Sequence, residues 1–259
     1  MNRYLEFARI GLREGVVYRA NALASVATTV IYLVLMYSVW SAIAAAGTLE
    51  GSFSQVISYV ALGQVVQNAT SVDMENTVGE KVRKGTVVNE LKRPVSFQLQ
   101  MLSYQLGGSL FDTVARGVPA MAIAVVFLGV GSPGVLGGLA FLASVVLSFA
   151  LVSLMSYSLA MLTFWTKVGW SLNMMRSTLT GLFSGALFPL YLLPDGVRGL
   201  FYLTPFPSLV DAPIRIYQGG LSGSVWGVYG VQVFWILFFA VASRLMWGKA
   251  RTKLTVQGG

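Results

Sequence analysis

Hydrophobic residues run along this chain in long uninterrupted stretches, and polar residues gather in a few places between them. No charge occurs between Arg19 and Glu50, and about 20 apolar residues in a row suffice to cross a bilayer as a helix rising 1.5 Å per residue. The first stretch therefore predicts a membrane span over 22–45. After a short loop from Gly47 to Ser52, a second apolar run predicts a span over 53–72. The apolar run after Arg116 is short for a span, so its helix is expected to start earlier and to draw Asp112 and Arg116 toward the membrane boundary, with the span placed at 112–131. Gly131, Pro133 and Gly134 form a turn signal, followed by spans at 136–164, 170–193 and 225–246.

Two further segments fit neither pattern. Residues 4–19 set Tyr4, Phe7, Ile10 and Val17 among charges at helical spacing, which predicts an amphipathic helix lying in the membrane interface. Pro194 to Ser222 contains Pro205, Pro207 and Pro213 with several aromatics, and predicts short helices dipping into the outer leaflet, where protein or water must satisfy their backbone groups. The whole chain, 1–259, is read as a single all-α polytopic membrane domain with six transmembrane helices.

Composition excludes several functions. Of 259 residues 55% are hydrophobic and 11% charged, against roughly 25% charged in an ordinary soluble domain. Cysteine and histidine are both absent, which removes disulfides, thiol nucleophiles, the usual zinc and haem ligands and the commonest general base. No phosphate-binding glycine loop occurs, so any ATP hydrolysis belongs to another chain. The chain is read as a non-enzymatic subunit with no cofactor or metal of its own. The net charge of +8 does not read as a nucleic-acid surface, because the basic residues sit at the ends of apolar spans. Charges from Arg3 to Arg19 interrupt any apolar core of a cleavable signal, so the first span is expected to be retained.

The positive-inside rule orients the spans. Arg3, Arg9, Arg13, Arg19, the basic residues between 81 and 93, Lys167, Arg244, Lys249, Arg251 and Lys253 fall on one face, and only Arg198 and Arg215 clearly on the other. Both termini and the segment after span two are expected in the cytoplasm of a cell-membrane protein. Trp165 and Trp170 read as an interfacial belt, and Arg176, near the start of span five, is expected to snorkel outward.

Nine of the 28 charged residues lie between Asp73 and Arg93. Thr77 with Glu80 has capping-box spacing, Lys81, Arg83 and Lys84 suit a last turn, and Gly85 suits a C-terminal cap. These predict a short cytoplasmic helix over about 78–84. Asn89, Glu90, Lys92 and Arg93 follow before Pro94. The bland account is a solvated loop whose cations fix topology; the mixed signs suit a complementary protein surface instead.

Within the spans, Gln64 and Asn68 are four apart, with Gln67 beside them, and can line a polar opening or bond across helices. Asp112 and Arg116, also four apart, read as the only opposite charges within reach of the membrane interior. They serve either a translocation path or an interfacial ion pair. Pro119, three residues on, is expected to kink or loosen that helix. Ala24 with Thr28, and Gly107 with Gly108, read as close helix contacts.

Four stretches in this order resemble one family: Tyr18 to Asn21, Gly85 to Pro94, Phe183 to Pro194, and Pro205 through Pro213 to Gly219. Together they resemble the membrane subunits of ABC-2 type exporters, the six-span permeases, over essentially the whole chain. The resemblance implies an N-terminal elbow helix, a coupling helix after span two seated on an ATPase, and re-entrant outer-gate helices that include Pro194, Pro205, Pro207 and Pro213. It also implies two copies of an ATP-binding subunit, which hold ATP and Mg, and a second permease, identical or related. An uncharged interior favours amphipathic or hydrophobic cargo such as lipids, drugs or hydrophobic peptides. An ion-coupled secondary transporter and a non-transporting scaffold are the alternatives; the first needs a midplane coupling-ion site, and the sequence offers no clear intramembrane carboxylate or repeat for it.

Overall fold

The computed structural model describes residues 2–17, 19–47, 49, 51–219 and 225–254. Tyr18 of the first resembling stretch, Thr48 and Glu50 of the first loop, and the end of the outer segment at 220–224 lie outside the described residues. Helices α1 (Asn2–Val17) and α2 (Arg19–Ala45) open the chain, followed by α3 (Phe53–Ala69), α4 (Met74–Arg83) and α5 (Val87–Leu91). A continuous rod then comprises α6 (Phe97–Asp112), a π-helical turn at Thr113–Gly117, and α7 (Val118–Leu128). After it come α8 (Gly134–Met161), α9 (Thr163–Thr166), α10 (Trp170–Phe183), α11 (Asp195–Tyr202), α12 (Asp211–Gly219) and α13 (Val225–Leu254), with 3-10 turns at Leu190–Leu192 and Phe206–Ser208. No strand occurs among the described residues; the protein is all-α.

Four of these rods are long and apolar enough to cross a membrane: Ala24–Ala45, Phe97–Leu128, Gly134–Thr166 and Val225–Lys253. Their outer faces carry large apolar side chains in the open, with Phe127 78% and Val135 82% exposed, which only a lipid or protein neighbour can cover. The helices in the second and fifth predicted spans are shorter. α3 has 17 residues and α10 has 14, so they rise about 25 and 21 Å against a hydrocarbon core of about 30 Å. The sequence reading extended the fifth helix to residue 193, and the structure ends it at Phe183. At Gly185 the backbone takes φ +86°, and a Cβ there would lie 2.3 Å from the Tyr59 hydroxyl. Only glycine fits that turn, and Pro189 beyond it blocks any resumption of the helix.

The third rod starts at Phe97, fifteen residues before the boundary placed at 112. It ends at Gly129, which is in the left-handed region at φ +66°. The π turn lies just ahead of Pro119, and the Val118 N–H there reaches back to Thr113 O. A proline has no N–H to give to the carbonyl four residues earlier, and one widened turn absorbs that loss.

The core centres on α8. Gln232 of α13 is fully buried and donates through Nε2 to Ser144 O, Ser148 Oγ and Ser208 O at 3.2, 3.1 and 3.0 Å, while Ser144 Oγ donates to its Oε1 at 3.0 Å. This polar knot ties α8, α13 and the turn before α12 in a region where an unpaired amide is expensive. α1 lies directly on α6. A Cβ at Gly107 would fall 1.8 Å from Ala8 O, and one at Gly11 would fall 2.1 Å from Tyr104 O, so the two backbones touch through their glycines. Gly108 joins the contact through its backbone, its N lying 3.1 Å from a Cβ built on Gly11, although nothing lies within 4 Å of a Cβ built on Gly108 itself. Ala24 and Thr28 are exposed, and Thr28 bonds only to its own helix, to Ala24 O at 3.0 Å.

Candidate functional site

The helix in the charged segment is longer than expected and begins earlier. It spans Met74–Arg83, not 78–84, and Asp73 occupies the position before it. Thr77 is an interior residue whose hydroxyl bonds back to Asp73 O at 2.8 Å, so the Thr77–Glu80 capping box does not form. The far end matches the turn chemistry: Lys84 N donates to Glu80 O at 2.9 Å, and Gly85 takes φ +71°.

Glu75, one of the nine charged residues between Asp73 and Arg93, is fully buried. Arg176 of α10 donates from Nε to Glu75 Oε1 at 2.6 Å and from its terminal nitrogen to Val72 O at 2.8 Å. Ser156 of α8 donates to Glu75 Oε2 at 2.5 Å and accepts from the Met74 N–H at 3.4 Å. Arg176 therefore does not snorkel outward; it is 7% exposed and is turned inward by a carboxylate that only the folded chain delivers. Asn173, one turn before Arg176, donates to Asp73. The backbones also meet here, because a Cβ at Gly169 would lie 2.2 Å from Glu75 O and one at Gly79 would lie 2.9 Å from Gly169. The start of α4 is thus clamped to α8 and α10.

The other end of the segment is tied to α6. Glu90 accepts from Lys81 Nζ at 2.8 Å, Arg93 at 3.1 Å and Gln100 Nε2 at 2.5 Å. Burial acts to raise the Glu90 carboxyl, but the bonds from Lys81 and Gln100 and the charge of Arg93 outweigh it and hold it below the usual carboxylate range. Lys84 pairs with Glu80 at 2.6 Å, and that bond lowers the Glu80 carboxyl in turn. Arg93 also stands over the Phe7 ring of α1 at 5.6 Å. Of the residues expected to face a partner, Glu80, Arg83, Lys84, Gly85, Asn89, Lys92 and Arg93 are exposed. Thr77, Lys81 and Glu90 are partly covered, and the latter two form an internal stitch.

The span-two polar residues do not act as one set. Gln67 lines a cavity of about 610 Å³ with Asn76, Asn173, Arg176, Ser177 and Thr180. Asn68 is buried with its Nδ2 unpaired, close to Gly117 of the π turn, and Gln64 is half-buried. Asp112 and Arg116 form the expected pair, with Nε 3.1 Å from Oδ1, and stay partly exposed. Two other sets of opposite charges are more fully buried within the protein: Glu75–Arg176, and a cluster around Asp211 that the sequence reading did not identify.

Asp211 begins α12 and is 1% exposed. Tyr59 of α3 donates to its Oδ1 at 2.7 Å, Tyr202 of α11 to Oδ2 at 2.8 Å, and Arg215 to Oδ2 at 2.9 Å. Arg215 also caps the Tyr202 ring at 5.0 Å. Pro194 precedes α11, Pro205 precedes the 3-10 turn and Pro207 lies within it, and Pro213 sits in the first turn of α12, where a missing N–H leaves no helical bond unmade. A spacing of four between Asp211 and Arg215 was the one available signal. Tyr59, 152 residues away, gave none.

Residues 23–258 match the family model described as ABC-2 family transporter protein. The chain belongs to that family. Among curated proteins none matches it. An ABC-2 permease is a transmembrane transport protein, and in this member the charged segment after α3 folds back onto α6, α8 and α10.

Proposed function

We propose that this chain is the six-span permease subunit of an ABC exporter, and that α4 and α5 form its seat for an ATP-binding subunit. The observation carrying the reading is the pair of buried bonds that Glu75 accepts from Arg176 and Ser156, which fixes the base of α4 to α10 and α8, while Glu80 and Arg83 on the same helix and Lys84 at its end stay exposed. A partner that pushes on that exposed face moves α8 and α10 with it, because a packed ion pair transmits displacement instead of absorbing it.

In this reading α3 and α10 complete the six spans together with the four long rods, short rods being accommodated by local thinning or by the partner permease. Both termini and α4 face the cytoplasm of the cell membrane, α1 lies along the interface as an elbow, and α11–α12 form the outer gate. Two ATP-binding subunits supply ATP and Mg, and a second permease, identical or related, completes the path for an amphipathic or hydrophobic cargo.

The test is reconstitution with the cognate ATPase. Glu80→Lys combined with Arg83→Glu reverses the exposed face without touching the Glu75 anchor. Loss of ATPase co-purification and of cargo-stimulated hydrolysis is expected; unchanged assembly and transport defeat the proposal. Transport driven by an ion gradient with no ATPase present defeats it as well.

A further inference from the structure

The cavity of about 610 Å³ beside Arg176 lies between α3, α4, α8 and α10, and it is of a size that takes small molecules. Gln67 of α3 and Asn76 of α4 line it with amides, each carrying N–H donors and a carbonyl acceptor, and Thr180 of α10 lines it with a hydroxyl. Arg176 has five N–H donors, of which one goes to Glu75 and one to Val72 O. Its charge is met by the Glu75 carboxylate at 2.6 Å, and Asp73 on the same wall accepts from Asn173. Val152, Leu209 and Val210 add an apolar wall, and Trp170 and Met174 of α10 stay exposed beside it.

Two observations point to a ligand and to its chemistry. Thr180 Oγ1 is shut off from solvent and has no hydrogen-bond partner among the described residues, which is costly for a hydroxyl. Threonine in a helix reaches two χ1 wells, so this hydroxyl can turn to a guest in the cavity it lines. Arg176 in turn is 7% exposed, yet it carries donors beyond the two spent on Glu75 and Val72. A charged head is served badly by such a wall. A sulfate or phosphate only accepts and an ammonium only donates, so either leaves part of the amide and hydroxyl groups unanswered. A sugar hydroxyl donates and accepts at once, and pairs with both. The ring of Trp170 offers a flat apolar face to the C–H side of a sugar, and Met174 offers an apolar surface to an alkyl chain.

We propose that this cavity binds the uncharged, hydroxyl-rich head of a glycosyl amphiphile, with its alkyl chain along Met174. The binding requires no ATPase and no second permease, so it stands or falls separately from the function proposed above.

The experiment titrates radiolabelled dodecyl maltoside, below its micellar range, onto the purified full chain in phosphatidylcholine nanodiscs, with empty nanodiscs subtracted to remove partitioning into lipid. Unlabelled dodecyl maltoside, dodecyl sulfate and dodecylammonium then compete, sharing one chain length and differing in the head. Dodecyl maltoside is expected to displace the label at about one fifth, or less, of the concentration that either charged amphiphile needs, the size of one net hydrogen bond. Thr180→Val removes the hydroxyl and keeps the branched shape, and the affinity for dodecyl maltoside is expected to fall about fivefold. Thermal unfolding of that variant stays level or shifts upward, because an unpaired buried hydroxyl is lost. Gln67→Leu lowers the affinity by a similar factor. Equal or stronger displacement by either charged amphiphile, label retained no better than by empty nanodiscs, or an affinity unchanged in Thr180→Val/Gln67→Leu overturns the proposal.

Discussion

Removing Glu75 leaves Arg176 buried with no counter-charge, whereas removing both leaves an apolar contact between helices. Glu75→Leu alone is therefore expected to destabilise the chain by about 3 kcal/mol, the usual cost of orphaning one partner of a buried ion pair. The double variant Glu75→Leu/Arg176→Leu recovers most of that loss in thermal unfolding in detergent. Recovery of folding without recovery of ATPase-coupled transport would separate the pair's mechanical role from its contribution to stability. Glycines at helix contacts behave differently. At Gly169 an added methyl meets the Glu75 carbonyl 2.2 Å away, so Gly169→Ala is expected to cost about 1–3 kcal/mol through overpacking. A loss near zero would mean that α4 moves aside freely, against the clamp described here. None of these contacts shows in the sequence. Arg176 there is one cation near the start of an apolar run, and its partner lies 101 residues away.

Among the helical elements, α4 and α5 are held at one end by burial and at the other by charge. The Glu90 carboxyl, held below its ordinary value of 4.5 by Lys81, Gln100 and Arg93 against the opposing effect of its burial, contributes stability that is complete above that value. The contribution is lost as pH falls through the lowered one. Glu90→Gln removes this dependence, so the protection factors of α5 amides, exchange rates divided into their intrinsic values at each pH, are expected to fall on acidification in the unaltered chain and to change much less in the variant. The end of α4 was legible because Gly85 and the last-turn cations act locally. Its start was not. Thr77 and Glu80 satisfy the spacing of a capping box, but the fold supplies Asp73 and a docking surface for Met74 and Glu75 one turn earlier, and tertiary contact overrides the local signal. The widened turn before Pro119 was readable for the opposite reason, since a missing N–H is a property of the residue itself.

Across the whole molecule, topology is the property most open to direct test, and the chain contains no cysteine, so single cysteines report without background. Cysteines placed at Lys84 and Lys249 are expected to react with a membrane-impermeant maleimide from one side, and one at Gly199 from the other. Labelling of all three from the same side would remove the six-span arrangement. Hydrophobic patterning alone determined that the protein is helical and membrane-embedded, where three of its four longest rods run, and that one dense charged segment interrupts them. Those properties are sums over neighbouring residues, and any arrangement of the chain preserves them. Tertiary structure decided which charges face water and which are internal fasteners. It turned Arg176 inward, buried Glu75 and Asp211, shortened the fifth helix at Gly185, and set Gln67, Asn76 and Thr180 around one cavity. The free energy of a charge depends on the solvent and partners that surround it, and those come from segments distant in the chain.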